Sequence, residues 1–225
     1  MARTQAREAD RARLSKQAVI QRALALADAE GLDALTIRRL ATELGVTPMA
    51  LYWHFRNKEE LLAGLADQVW GELDTDVDAA EPWHRQLRGL LESLLTVLRR
   101  HPCASQLILE GEKQSSSMQI ASETALEVLH QGGFGPEQAA EITRSALWTS
   151  LMLVMSEPGF HPELTAAEIA EKQRQNRVRM ALLPPDRFPR LVAAAEPMSS
   201  CDPEFHYRFG VDLFIAGVRA LAPQR

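Results

Sequence analysis

The sequence predicts an all-α protein. Apolar residues recur at helical spacing almost throughout, and no stretch alternates apolar and polar residues for long enough to make a strand. Capping residues, glycines and prolines punctuate that pattern at intervals suited to helices. With 46% hydrophobic and 24% charged residues among 225, the chain has the apolar content of a folded protein and room for a small domain joined to a larger one.

The first elements follow from their caps. Ser15 caps a helix over about 15–30, in which Ile20, Ala23, Leu24 and Ala27 share a face and Gly31 supplies a left-handed end. Thr36 caps a two-turn helix, Ile37 to Leu44, with Ile37, Leu40, Ala41 and Leu44 on one side and Gly45 at its end. After Val46, Thr47 caps a third helix from Pro48 to about Phe55, with proline at the first position, where a missing N–H costs nothing. Asn57 followed by Glu60 resembles a capping box and starts a long helix through Leu61, Leu62, Leu65, Val69 and Leu73 that bridges two domains. The acidic segment 74–82, DTDVDAAEP, reads as a surface connection. Further helices are expected near Trp83–Arg100, Cys103–Glu110, Met118–Gln131, Pro136–Met155, Ala166–Leu182, Phe188–Ala195 and Glu204–Leu221.

Charge is divided unevenly. The whole chain carries −5, yet residues 1–66 hold ten Lys and Arg against eight Asp and Glu, a net +2, leaving −7 for the remainder. Any affinity for phosphate therefore belongs to the first part. Within it, residues 1–14 form a basic arm that reads equally as a strand-tracking tail or a solvated terminus. Cys103 and Cys201 are far apart and in no CxxC pair, so two reduced thiols are expected, with no metal and no other cofactor. No apolar run reaches the roughly 20 residues that span a bilayer, and the start MARTQAREADRAR lacks a signal-like apolar stretch, so a cytoplasmic location without membrane attachment is expected.

Two short helices joined at Gly45-Val46 make a helix-turn-helix, in which the first helix crosses phosphates and holds the second in a major groove. Helical spacing turns Leu51 and Phe55 inward, while Pro48, Met49, Tyr52, Trp53 and His54 face outward. For an isolated aromatic-rich helix, burial in the domain core would be the simpler explanation. The surrounding run LTIRRLATELGVTPMALYWHFRNKEELLAGLA, however, closely resembles the DNA-binding domain of TetR-family repressors. Leu51-Tyr52-Trp53-His54 with Asn57-Lys58 matches the tetracycline-repressor branch of that family, and the resemblance covers about residues 14–74.

The resemblance implies that Arg38 contacts a guanine edge and that Thr36 sits near phosphate. It also implies that Tyr52, Trp53 and His54 touch backbone and base, and that Lys58 grips phosphate at the start of the fourth helix. The departure is at Thr47-Pro48-Met49-Ala50, where the branch has a Gln-Pro-Thr run; Met49 and Ala50 suit thymine methyls, so a changed half-site preference is expected. The implied partners are a palindromic double-stranded DNA operator, a small-molecule effector and a second copy of the chain. The expected organisation is thus an arm over 1–14, a helix-turn-helix domain over 15–66 and a ligand-sensing, dimerising helical domain over 67–225.

In that larger domain SALWTSLMLVM, 145–155, has no charge, and 205–221 has polar groups only at His206, Arg208, Asp212 and Arg219. Either a monomer core covers these helices or they meet a symmetry mate in a four-helix bundle, the family's arrangement; weak half-site reading by a monomer favours the second. Candidate walls of an effector cavity are Leu107, Leu109, Trp148, Leu151, Met152 and Met155, with His101, Gln106 and Glu110 as polar handles, although for any single one of them plain core filling is the better reading. The branch's metal-ligating histidine has no counterpart in ASQLILEGE, so a tetracycline–magnesium complex is not expected.

An enzyme is disfavoured by the absence of GxSxG, GxxxxGK[ST] and HExxH, and Gly132-Gly133-Phe134-Gly135-Pro136 reads as an ordinary turn. The remaining alternative is a helical protein-interaction module without operator specificity.

Overall fold

The computed structural model describes residues 15–109, 115–157, 164–199 and 202–223; the expected basic arm, Glu110 and Cys201 lie outside them. All regular structure among these residues is helical. The helices are α1 (Lys16–Glu30), α2 (Ile37–Leu44), α3 (Pro48–Tyr52), α4 (Lys58–Gly71), α5 (Trp83–Arg100), α6 (Pro102–Leu109), α7 (Ser116–Gln131) and α8 (Pro136–Met155), followed by α9 (Ala166–Ala181), α10 (Pro189–Ala193), α11 (Ala195–Ser199) and α12 (Pro203–Leu221). A single 3-10 turn, Leu32–Ala34, joins α1 to α2. The chain divides into two compact units, residues 1–143 and 144–225.

The first unit is built on α1 and α4. The Ser15 hydroxyl accepts from the Ala18 N–H, and the Asn57 side chain accepts from the Glu60 N–H, so each helix starts where its cap removes an orphan donor. Glu60 returns the favour to the N–H of Arg56 at 2.8 Å rather than to Asn57, a capping box displaced by one residue. Gly31 ends α1 with φ 85° and ψ 162°, which has positive φ but is not the left-handed helical residue expected. Val19, Leu24, Leu40, Leu51, Phe55, Leu61 and Leu65 are all buried, and they close the core under the first four helices.

Beyond that core, α4 and α5 both pack on α7. The short helix α6 touches α1, the 3-10 turn, α4 and α5, so it meets both the N-terminal helices and the larger helical layer. Asp67 of α4 accepts from the Ser117 N–H at 3.0 Å and the Ser116 hydroxyl at 3.3 Å at the start of α7. This acceptor at a helix N-terminus holds the carboxyl below its usual range, mainly through the Ser117 N–H and against the cost of burial.

In the second unit the C-terminal part of α8 and α12 approach closely. A Cβ on Gly210 would lie 2.5 Å from Cδ2 of Leu153, so glycine is what admits the leucine there. Nearby, the Tyr207 hydroxyl donates to Glu157 at 2.7 Å, and a ring nitrogen of His206 lies 3.0 Å from the Leu153 carbonyl. Thr165 and Glu168 form a reciprocal capping box that starts α9, which packs on α10 and α11. One helix was expected over Phe188–Ala195, but the structure has two short ones meeting at Ala194. Pro197 explains the break: it has no N–H and its ring would strike the carbonyl four residues back, so it fits the first turn of a new helix and not a continued one.

Candidate nucleic-acid interface

Thr36 is exposed and its hydroxyl accepts from the Arg39 N–H at 3.1 Å, which starts α2. On that helix Arg39 pairs with Glu30 at 2.9 Å and Glu43 at 3.2 Å, and Glu43 also pairs with Arg22. Glu43 is held below the usual carboxylate range, chiefly by the Arg22 hydrogen bond. Arg38, one position along, is exposed and has no ion pair among the described residues, so its guanidinium remains available to an external acceptor.

Gly45 has φ 66° and ψ 28°, the left-handed region. Its N–H donates to the Thr42 carbonyl at 3.1 Å, and the Val46 N–H donates to the Ala41 carbonyl at 2.9 Å, a double closure that reverses the chain within two residues. Thr47 was expected to cap α3 through its side chain. Instead its hydroxyl makes no capping bond, and the helix is held by the Thr47 carbonyl accepting from Ala50. The helix also stops at Tyr52, short of Phe55; the N–H groups of His54 and Phe55 both turn back to the Leu51 carbonyl.

This short helix has two unlike faces. Leu51 and Phe55 are buried at 0% and 1% exposure, whereas Met49, Tyr52 and Trp53 are 68%, 49% and 81% exposed. Pro48 is exposed with them, and Ala50 and His54 are half-buried. Lys58 stands exposed at the first position of α4, its ammonium 3.4 Å from the Leu32 carbonyl. The predicted outward set is thus the observed exposed or half-exposed set.

The candidate effector residues fall in both units. In the first, Leu107 is buried and Gln106 half-buried on α6, while both ring nitrogens of His101 are engaged: Nδ1 lies 2.7 Å from Asp28 and Nε2 lies 3.1 Å from Glu72. In the second, Leu151 is fully buried, and Trp148, Met152 and Met155 are 46%, 49% and 46% exposed along one stripe of α8. Sequence reading missed the acidic partners of His101, which come from positions 73 and 29 residues earlier. The one local hint was His101-Pro102 itself, a proline that ends α5 and opens α6.

A left-handed turn that presents an uncovered aromatic helix, backed by a buried core and followed by a larger helical layer, defines a helix-turn-helix DNA-binding protein. Comparison with known proteins agrees. Residues 19–65 match the model of bacterial regulatory proteins of the tetR family, and residues 78–222 match the tetracyclin repressor-like C-terminal domain. The chain belongs to the tetR family of bacterial regulatory proteins.

Among its relatives, HTH-type transcriptional repressor DrrR1 of Streptomyces coeruleorubidus is 28% identical over 94% of this chain and 80% of that protein. The class D tetracycline repressor protein from Escherichia coli is 29% identical over 92% of this chain and 89% of its own length. The structure of Streptomyces coelicolor ActR in complex with actinorhodin superimposes with a TM-score of 0.80 at 27% identity, covering 94% of this chain and 99% of that one. The chain is accordingly a DNA-binding transcription regulator of that family. No helix among the described residues is long and apolar enough to cross a membrane.

Proposed function

We propose that the chain acts as a homodimeric repressor that holds a palindromic operator through α3 of each subunit and releases it when a small organic effector binds. The observation that carries this reading is the two-sidedness of α3, with Leu51 and Phe55 buried behind an exposed Met49, Tyr52 and Trp53. A monomer gains nothing by leaving a tryptophan 81% exposed, whereas a groove of stacked bases and sugars would cover it.

In this reading Arg38 makes the guanine contact, and Thr36, the uncommitted Thr47 hydroxyl and Lys58 contact phosphates. Pro48, Met49 and Ala50 meet thymine methyls, and Tyr52, Trp53 and His54 straddle backbone and base edge. The subunit interface uses two exposed stripes of the second unit, Trp148, Met152 and Met155 on α8 and Phe205, Phe209 and Leu213 on α12.

The relatives include a class D tetracycline repressor protein and ActR in complex with actinorhodin, and an organic effector is proposed for this chain by analogy. Gln106 and Leu107 of α6 are candidate contacts within the first unit. Helix α4 is the lever, because it packs on α1 as well as on α6 and α7. The effector shifts the balance only by its preference for a tilt of α4 that spoils the half-site spacing. Selection of bound sequences from random duplex DNA tests the core of the proposal: a two-fold symmetric sequence is expected, and recovery of no consensus would refute it.

A further inference from the structure

His101 occupies a corner where three separate segments meet. Its backbone is fixed twice, the N–H donating to the Val97 carbonyl at 3.0 Å at the end of α5 and its carbonyl accepting from Ala104 at 2.8 Å at the start of α6. The residue is buried, at 8% exposure, with its ring between Asp28 of α1 and Glu72, the residue that ends α4. With Nδ1 2.7 Å from one carboxylate and Nε2 3.1 Å from the other, both ring nitrogens must donate, which only the imidazolium can do.

The surrounding charges require the same form. Arg100 of α5 donates to Glu72 at 3.0 Å, so two carboxylates face one permanent cation and balance only if His101 is charged. The Cys103 thiol of α6 also faces Asp28, and burial together with that carboxylate pushes it up. Burial opposes a charge on His101, but the hydrogen bonds to Asp28 and Glu72 outweigh it, and the pKa is raised above the ordinary 6.5.

The two contacts are not equivalent. Asp28 also accepts from the Cys103 N–H at 3.3 Å, in the first turn of α6, where a helix dipole favours a carboxylate. Glu72 sits at a helix C-terminus, where the dipole opposes it, and depends on side-chain donors from His101, Arg100 and Gln68. A neutral imidazole keeps one proton, and the shorter contact with Asp28 keeps it on Nδ1. The unprotonated Nε2 then turns a lone pair toward Glu72.

We propose that His101 is a proton-operated clamp: charged, it ties the C-terminal end of α4 to α1 and to the α5–α6 corner, and neutral, it keeps Asp28 and lets Glu72 go. The clamp itself stands on these distances, and its regulatory consequence rests on the reading of α4 as the lever. Folding raises the proton affinity of His101, so the stability it contributes is complete below the unfolded value near 6.5 and is lost as pH rises through the higher folded value.

Imidazole nitrogen NMR on the full-length chain tests this without DNA. The His101 midpoint should lie above 6.5, its neutral form should carry the proton on Nδ1, and Glu72→Gln should lower the midpoint. In melting experiments the advantage in Tm of the unaltered chain over His101→Gln should shrink between pH 6 and pH 9. A midpoint at or below 6.5, a proton on Nε2 in the neutral form, or a midpoint indifferent to Glu72→Gln would overturn the clamp. Midpoint and tautomer are read in the unaltered chain, so a variant that does not fold leaves the test intact. Failure of the operator selection, by contrast, would remove the lever reading and leave the titration standing.

Discussion

Two of the exposed apolar faces among the described residues, on α3 and on α12, differ in length and in what surrounds them. Helix α3 is five residues long and exposes Met49 and Tyr52, with Trp53 just beyond, close in sequence to exposed Arg38 and Lys58. Helix α12 is nineteen residues long and exposes Phe205, Phe209 and Leu213 at intervals of four, with Tyr207, Val211, Ile215 and Val218 buried on its other side. A short aromatic patch beside cations suits a polyanion whose grooves admit one helix turn. A long apolar stripe with few charges suits another such stripe, because only an apolar partner removes that area from water without stranding polar groups. Exposed aromatics alone therefore do not define a function; their extent and neighbouring charges do.

The comparison breaks most visibly if the long face is made polar. Phe209→Asp with Leu213→Asp should give a folded monomer by sedimentation and lower operator affinity by about 1000-fold, toward non-specific binding. Retention of the dimer would remove α12 from the interface. Next in size is the contrast within the reading head. Phe55→Ala should cost about 3–5 kcal/mol in chemical denaturation, whereas Trp53→Ala should change stability by no more than about 0.5 kcal/mol. The converse holds for binding, which Trp53→Ala weakens in a head that remains folded.

Arg38→Ala or Tyr52→Ala should weaken the operator by about 1–3 kcal/mol per half-site and relax preference at the contacted base, as read in competition against substituted duplexes. Gly45→Ala meets no steric obstacle, and its expected loss of about 1–2 kcal/mol comes from the left-handed backbone alone. Smallest in specificity is Lys58→Ala: all duplexes should lose affinity alike, and the slope of log affinity against log salt should flatten by about 0.9 per subunit.

The reading head was largely legible because local chemistry dictates it. Ser15, Thr36 and Asn57 each cap the helix expected of them, Gly45 takes the left-handed turn, and period 3.6 correctly separates Leu51 and Phe55 from Tyr52 and Trp53. Thr47 makes no cap through its hydroxyl; the first turn of α3 closes instead on its carbonyl, which accepts from the Ala50 N–H. Long-range pairings were not legible. Nothing in the spacing of Asp28, Glu72 and His101 marks them as partners, since helix packing and not periodicity brings them together. A histidine offered by the sequence as a polar handle for a ligand thus has its ring nitrogens engaged within the first unit.

Hydroxyl-radical footprinting of the chain on its selected duplex addresses the central claim most directly, namely that the exposed face of α3 reads DNA twice from a symmetric pair. Two protected patches of equal strength are expected, related by two-fold symmetry and about 34–36 Å or a multiple of that apart, both lost on substitution of Tyr52 and Trp53 by alanine. A single patch, or two that survive those substitutions, would contradict it.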